Sequence, residues 1–584
     1  MTTASSPLHS VSSTSVMGLD LRQLLYTAAA ALLAAVLFSA LRTPVIRRHG
    51  VPLRYANAPR ISPVLRAVAK QARKPPNTLP LAGNGILFLQ ARQKLFSWFV
   101  QTQRQFGYET FQIAVPSLPP GVVINDPRNL EFVFRHEGSL VSKGGFVKGT
   151  MADLFGHGIV NADGDAWRVQ RKAGLAFLNP ANTRVLTDVA LPMHLEDTLR
   201  HLTAASEQRR EIDLQAVFHE LTSCIMGKMA YNMEMHADDA FTLAFDYASG
   251  AITERFQNPL WPVTEAVSGL FSRAGGGGSA ELRRSLAVVK AFGRRIVSTA
   301  VADRQTHHGA GSAQAQSTDS DSDKRSASAD KMDEVSGSLI NSLLDAIADQ
   351  DMVADAALNY LSAGRDTVAQ ALTWTFYMLM KSPRIVDKIR SEVLHVLDVL
   401  DDQEKEAGSR RNIVPHLARF TPAAMPYAMA TFYEGLRLFP PIPFEIKQVE
   451  ADILELPDGT ELAKGTLILW CAWAMNRARE TWGGDAGEFR PERWLTELEV
   501  AGAPAPSPSV RLASRSPSEF PVFHGGPRAC LGKKMAESVA VQTMAAVAWS
   551  FDFRLARPAE ERVTKTSLTL PMEGGLPCFV QARC

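Results

Sequence analysis

From Leu24 to Leu41 the chain reads L-L-Y-T-A-A-A-A-L-L-A-A-V-L-F-S-A-L, without a charged side chain. A helix made of this run reaches roughly 27 Å, close to the ~30 Å hydrocarbon core of a bilayer. The pattern reverses at Arg42. Nine Lys or Arg, and no acid, occupy residues 42–74. Basic residues beside an apolar span mark its cytosolic side. The expected organisation is a luminal tail (1–23), a transmembrane anchor (24–41), a basic and Pro-rich linker (42–83) and a cytosolic body (84–584). A cleaved signal peptide would carry its charge before the apolar run, and a mitochondrial presequence would be Arg-rich and amphipathic. A buried globular helix would leave the charge switch unexplained. The segment K-P-P-N-T-L-P-L-A-G-N (Lys74 to Asn84) then reads as a stiff spacer, because proline fixes φ and removes donors.

Within the body, E-T-F-Q-I-A-V (Glu109 to Val115) and V-V-I-N-D-P (Val122 to Pro127) read as strands, with Pro119, Pro120 and Gly121 turning between them. Helical periodicity dominates afterwards. Residues 304–335 hold almost no large apolar side chains and predict a flexible insert, as does the Pro/Ser-rich stretch 501–518. The expected class is mainly α with small β-sheets, in one catalytic domain. Of 584 residues 46% are hydrophobic and 21% charged, which excludes wholesale disorder and a multi-span membrane protein. Lys plus Arg is 62 against 60 Asp plus Glu. That balance argues against a nucleic-acid binder. Five scattered cysteines (Cys224, Cys471, Cys530, Cys578, Cys584) fit a reducing compartment rather than a disulfide scaffold.

The densest chemistry lies in F-H-G-G-P-R-A-C-L-G (Phe523 to Gly532). A Gly/Pro-rich loop presents Cys530 just before a helical stretch, where the helix dipole and nearby amides favour a thiolate. Phe523 can screen the sulfur, Arg528 can meet an anionic group, and Gly532 leaves room for a flat ligand against the backbone. Such a thiolate is a good axial ligand for haem iron. A lone cysteine near a turn is more often a buried, inert one. The spacing F-x-x-G-x-R-x-C-x-G sets this loop apart.

This loop resembles the haem-binding loop of the cytochrome P-450 superfamily, and further motifs follow in that family's order. A-G-R-D-T-V-A around Ala363 resembles the centre of the helix that crosses the haem. The resemblance implies that Gly364 opens room for dioxygen and that Asp366 and Thr367 relay protons. Glu434 and Arg437, with Arg493 in F-R-P-E-R-W, resemble the family's Glu–Arg–Arg lock, a structural element. Trp167 and Arg171 share a helix face at i, i+4. By resemblance they and Arg528 would meet the haem propionates. Lys172, Lys533 and Lys534 could form a basic face for an acidic reductase, or simply a solvated rim. By the family's layout Val147, Met151, Ile159, Leu361, Ala363 and Phe444 would line the substrate pocket.

A-G-R-D-T, the stretch Asp153 to Lys172 and L-P-D-G-T (Leu456 to Thr460) are similar to the branch of fungal alkane and fatty-acid hydroxylases and plant fatty-acid ω-hydroxylases. Asn476 and Val368 depart from the usual residues, and neither removes a catalytic group. The resemblance implies haem b, dioxygen, an apolar lipid-like substrate, membrane lipid and a separate NADPH–cytochrome P-450 reductase. It also implies an endoplasmic reticulum membrane location, single-pass, with no nucleic-acid partner. The expected reaction is terminal or near-terminal hydroxylation of a long-chain fatty acid. The alternatives are an alkane, a fatty alcohol or a fungal secondary metabolite such as a glycolipid precursor, and, more remotely, a non-catalytic haem-binding protein.

Overall fold

A computed structural model describes residues 47–48, 51–52, 91–113, 119–258, 261, 265, 278–309, 335–404, 413–498 and 509–583. The proposed anchor and luminal tail lie outside the described residues. Among the described residues no helix is long and apolar enough to cross a membrane.

Thirteen helices named here carry the fold: α1 (Arg92–Phe106), α2 (Pro127–Arg135), α3 (Gly144–Phe155), α4 (Gly164–Phe177), α5 (Leu191–Glu207), α6 (Leu214–Tyr231), α7 (Ala240–Gln257), α8 (Gly278–Gly309), α9 (Ser338–Ala346), α10 (Gln350–Met380), α11 (Pro383–Glu404), α12 (Pro426–Leu438) and α13 (Lys533–Ser550). The helix starts follow local chemistry. Asp126 accepts from the Arg128 N–H, with Pro127 in the first turn of α2. Asp349 caps α10 by accepting from the N–H groups of Asp351 and Met352. Helix α10 is buried on nearly every side, as an Ala/Leu/Val/Thr-rich run predicts for a core helix. It packs against α6, α8 and α12, and α12 in turn meets α13.

The strands form small sheets. In the largest, β1 (Phe111–Ile113), β2 (Gly121–Val123), β3 (Val141–Ser142), β4 (Phe444–Val449) and β5 (Leu467–Cys471) are ordered β1-β2-β5-β4-β3. The pair β2–β5 is parallel and the other pairs are antiparallel. Strands β1 and β2 lie within or beside the two predicted segments: β2 takes in Gly121 and ends at Val123, and residues 114–118 lie outside the described residues. A second, smaller core beneath this sheet gathers Val122, Ile124, Leu130, Phe134, Ile468 and Trp470.

Three boundaries differ from expectation. Helix α8 continues to Gly309, so residues 304–309 of the expected insert are helical, and residues 310–334 lie outside the described residues. Ser509–Leu512 pairs antiparallel with Leu495–Leu498, turning part of the 501–518 insert into a hairpin arm. Inside the basic linker, Arg47–Arg48 pairs with Val51–Pro52 and with Thr460–Glu461, so that linker adds a short hairpin to a separate sheet with Thr460–Ala463 and Ile453–Glu455.

Candidate active site

The loop before α13 is held by its backbone. The Cys530 N–H donates to the Phe523 carbonyl at 2.8 Å, and Ala529 N–H to Gly526 at 3.1 Å. Gly526 has φ +61°, and a Cβ there would lie 2.2 Å from the Phe134 carbonyl oxygen, so the turn requires glycine twice over. The Cys530 side chain is open to an internal cavity while protein surrounds it. Its thiol does not have the lowered pKa expected of a helix N-terminus. Helix α13 begins three residues later, at Lys533. Burial pushes the thiol up, against the pull of the Gly532 N–H and the charges of Arg171 and Lys533.

Arg171 rivets this loop: its Nη1 donates to the Ala529 carbonyl at 3.0 Å, and its guanidinium lies over the Trp167 ring. Arg528 stacks on the same ring, at 4.6 Å. It is already paired with Asp163 at 2.5 Å and Glu137 at 3.1 Å, so an incoming anion would share it with two carboxylates.

On α10, Thr367 faces the cavity and its hydroxyl donates to the Ala363 carbonyl at 2.7 Å. Asp366 borders the same cavity, but Arg365 Nε donates to its Oδ1 at 2.6 Å and the Ser362 hydroxyl to its Oδ2 at 3.3 Å. Arg365 is fully buried. It also donates to the Thr242 hydroxyl at 2.8 Å and reaches Asp246 at 3.6 Å, over the rings of Phe241 and Phe245. Burial pulls the neighbouring His219 imidazole down to about 4, which keeps it neutral beside Asp366. Gly364 has a use the sequence did not show. A Cβ there would meet the Met226 Sδ at 2.5 Å, so the missing side chain lets the α6 thioether close over α10.

The Glu–Arg pair is fully buried. Arg437 donates from Nε and Nη2 to the two Glu434 oxygens at 2.8 Å each. Arg493 Nε joins at 2.9 Å, Trp494 Nε1 at 2.9 Å and the Arg490 N–H at 2.8 Å. Burial alone would raise the Glu434 carboxyl, but the hydrogen bonds and charge of Arg437 outweigh it and hold the group below its usual range. Arg437 Nη1 also bonds the carbonyls of Asn476 and Ala486. At the departure noted above, the Asn476 side-chain amide is buried without a hydrogen-bond partner among the described residues.

Cys530 and Thr367 share one cavity of about 510 Å³. Asp366, Phe523, Gly532, Trp167, Arg171 and Arg528 border it too, as do Val147, Met151, Ile159, Ala363 and Phe444. Leu361 does not. It stands two residues before Ala363, about 200° around the helix, and is buried in the core.

A profile of the Cytochrome P450 family matches residues 74–579. The chain belongs to the cytochrome P450 family. Among curated relatives it is 26% identical to "Cytochrome P450 94A1" of Vicia sativa, over 87% of this chain and 90% of that one. It is 30% identical to "Cytochrome P450 86B1" of Arabidopsis thaliana, over 80% and 78%. It is 29% identical to "Cytochrome P450 monooxygenase cyp1" of Mycosarcoma maydis, over 88% and 76%. The protein is therefore a P450 monooxygenase, of a family that binds haem iron through a cysteine thiolate.

The residues present fit that group. A Cβ on Gly532 would find only the Cys530 Sγ, at 4.0 Å, so the space beside the sulfur is free for a planar ligand. Cations gather at one end of the cavity, as two propionates require. Arg171 and Arg528 were legible in the sequence, whereas Lys143 and Lys447 were not. Lys447 is buried against Glu137 at 2.6 Å. Lys143 borders the cavity, and burial, with Lys447 next in weight, pulls its ammonium down to about 8. Neither lysine carries a local signal. Lys447 sits in an alternating strand whose polar positions read as solvent-facing, and its partner is 310 residues away.

Proposed function

We propose that this P450 hydroxylates a long-chain fatty acid at or near the end of its chain. We further propose that it works from the cytosolic face of the endoplasmic reticulum membrane, held by the span at 24–41. The observation that carries this reading is the cavity: a largely apolar chamber, walled by Val147, Met151, Ile159 and Phe444, that converges on the Cys530 sulfur and the Thr367 hydroxyl. The motif resemblance to fatty-acid and alkane hydroxylases supports it, as does an uncharged run followed by basic residues.

When bound, haem supplies the iron chemistry by which one atom of dioxygen enters a C–H bond. The balance is R–H plus O₂, two electrons and two protons, giving R–OH and water. The chain's own residues would serve that exchange as follows. Cys530 provides the sulfur ligand, and Arg171 holds the carbonyl next to it. Phe523 screens the sulfur from water. The apolar walls orient the chain and exclude solvent. Thr367 presents a hydroxyl that can pass a proton at Oγ, while the hydrogen bond from Arg365 holds the Asp366 carboxylate in place. Electrons come from a redox partner protein, proposed here to be an NADPH-dependent reductase docked on the basic face around Lys172, Lys533 and Lys534.

The test is product analysis with the full-length haem protein, added reductase and NADPH, over a series of saturated acids, alcohols and alkanes. Terminal or near-terminal hydroxy acids are expected. Products from alkanes or alcohols, with none from any acid, would overturn the acid reading.

A further inference from the structure

At the start of α1, Arg92 is a cation in the wrong place. It is only 4% exposed, yet it borders the cavity that holds Thr367 and Cys530. It occupies the first residue of its helix, where the macrodipole is positive, and that first turn carries no acid. Its Nη1 is well used, donating to the carbonyls of Lys565 (3.2 Å), Ser567 and Thr569 (2.8 Å). The ring of Phe96 lies 5.4 Å from the guanidinium carbon. Among the described residues no carboxylate is paired with it. Nε has no hydrogen-bond partner, and Nη2 makes none among the described residues. The preceding stretch cannot supply an acid, because residues 21–91 contain neither Asp nor Glu. Burial pulls Arg92 down to about 9, so it stays a cation at neutral pH.

A buried, unpaired charge at the positive end of a helix is costly. One bound anion would relieve the burial, the missing counter-ion and the dipole together. Nη2 is the guanidinium nitrogen left to donate a charge-assisted hydrogen bond to an anion, while Nε is itself closed off by protein. The cavity beside it is apolar, with Leu95, Phe99 and Phe444 among its walls on the side of Thr367 and Cys530.

We propose that Arg92 is the anchor for the substrate's anionic end: a long-chain acid lies with its carboxylate on Nη2 and its chain running past Phe99 and Phe444 toward Thr367. This rests on the fatty-acid reading above and adds a residue and a consequence to it. With the carboxylate fixed, the oxidised carbon is set by its distance from the acid group. Hydroxylation at the chain end should therefore be confined to acids whose length spans the distance from Arg92 to Thr367.

The experiment titrates hexadecanoic acid, its methyl ester and hexadecan-1-ol into the full-length haem protein, reading the spin-state change of the haem band. It uses wild type, Arg92→Gln and Arg92→Lys. Wild type should prefer the acid. In Arg92→Gln the Kd for the acid should rise roughly 10- to 100-fold, the range for losing hydrogen bonds to a charged group. The ester and alcohol should change less than about two-fold, as expected where no charge is lost. Arg92→Lys should recover part of the acid affinity, because it keeps the charge without the fork. Equal weakening of all three ligands would make Arg92 only a rivet for the 565–569 loop and overturn the proposal. If Arg92→Gln fails to fold, the wild-type comparison still decides: an ester bound as tightly as the acid removes the anchor while leaving an apolar-chain substrate in place. Wild type that binds none of the three overturns the fatty-chain reading itself, and the anchor with it.

Discussion

Glu434→Gln keeps the shape of the buried lock and deletes its charge. One Glu434 oxygen accepts from Arg437 Nη2, Arg490 N–H and Arg493 Nε, and the other from Arg437 Nε and Trp494 Nε1. Whichever way a glutamine amide is turned, its NH₂ faces at least two of those donors. Arg437 is 0% exposed and loses its one acidic partner among the described residues. Removing one member of a buried ion pair costs about 3–5 kcal/mol. That is a large share of a total stability of about 5–15 kcal/mol. Urea unfolding of the haem-loaded protein, followed by far-UV circular dichroism and haem absorbance, should show this loss, with haem released earlier than in wild type. The dependence on pH has a defined sign. The Glu434 carboxyl is held below its ordinary 4.5, so its contribution is full above that value and is lost as pH falls through the folded pKa. The gap between wild type and variant should narrow below pH 4.5. A loss under about 1 kcal/mol at neutral pH would refute the claim that this pair organises the haem-side core.

Other perturbations test separate parts of the account. Arg365→Gln removes the cation that pairs with both Asp366 and Asp246 and should cost about 3–5 kcal/mol by urea unfolding. Asp246→Asn, at a half-exposed position, should cost far less, and the reverse order would contradict the assignment. Gly526→Ala should destabilise by at least ~1–2 kcal/mol from φ alone, before its clash with Phe134, and should lower haem content after purification. Thr367→Ala removes the cavity-facing hydroxyl without touching the ion pairs. It should therefore lower product formed per NADPH consumed while leaving substrate binding within about two-fold.

Local signals made the centre of the site legible. The Cys530 loop, Thr367 and the Glu434–Arg437–Arg493 lock are encoded in short segments whose spacing restricts what they can do. Asp366 was identified, but the extent of its restraint was not, because His219 reaches it from α6, and Thr242 and Asp246 of α7 hold the Arg365 that pairs with it. The missing pieces share that cause. Lys143, Lys447 and Arg92 look like ordinary surface cations in sequence, and only tertiary packing buries them against the cavity. Leu361 was misplaced by treating neighbours on a helix as neighbours in space: two residues along, a side chain points nearly the opposite way. The hairpin 495–498/509–512 escaped notice because its pairing spans a Pro/Ser-rich insert that by composition reads as loop.

Everything in the proposed chemistry depends on Cys530 supplying the iron's axial sulfur. The most direct measurement is the absorption spectrum of the carbon monoxide adduct of the dithionite-reduced haem protein, in wild type and Cys530→Ser. A strongly red-shifted thiolate-type band in wild type, lost in Cys530→Ser, is predicted. A wild-type adduct that absorbs like an imidazole-ligated globin, or a thiolate-type band that survives Cys530→Ser, would contradict it.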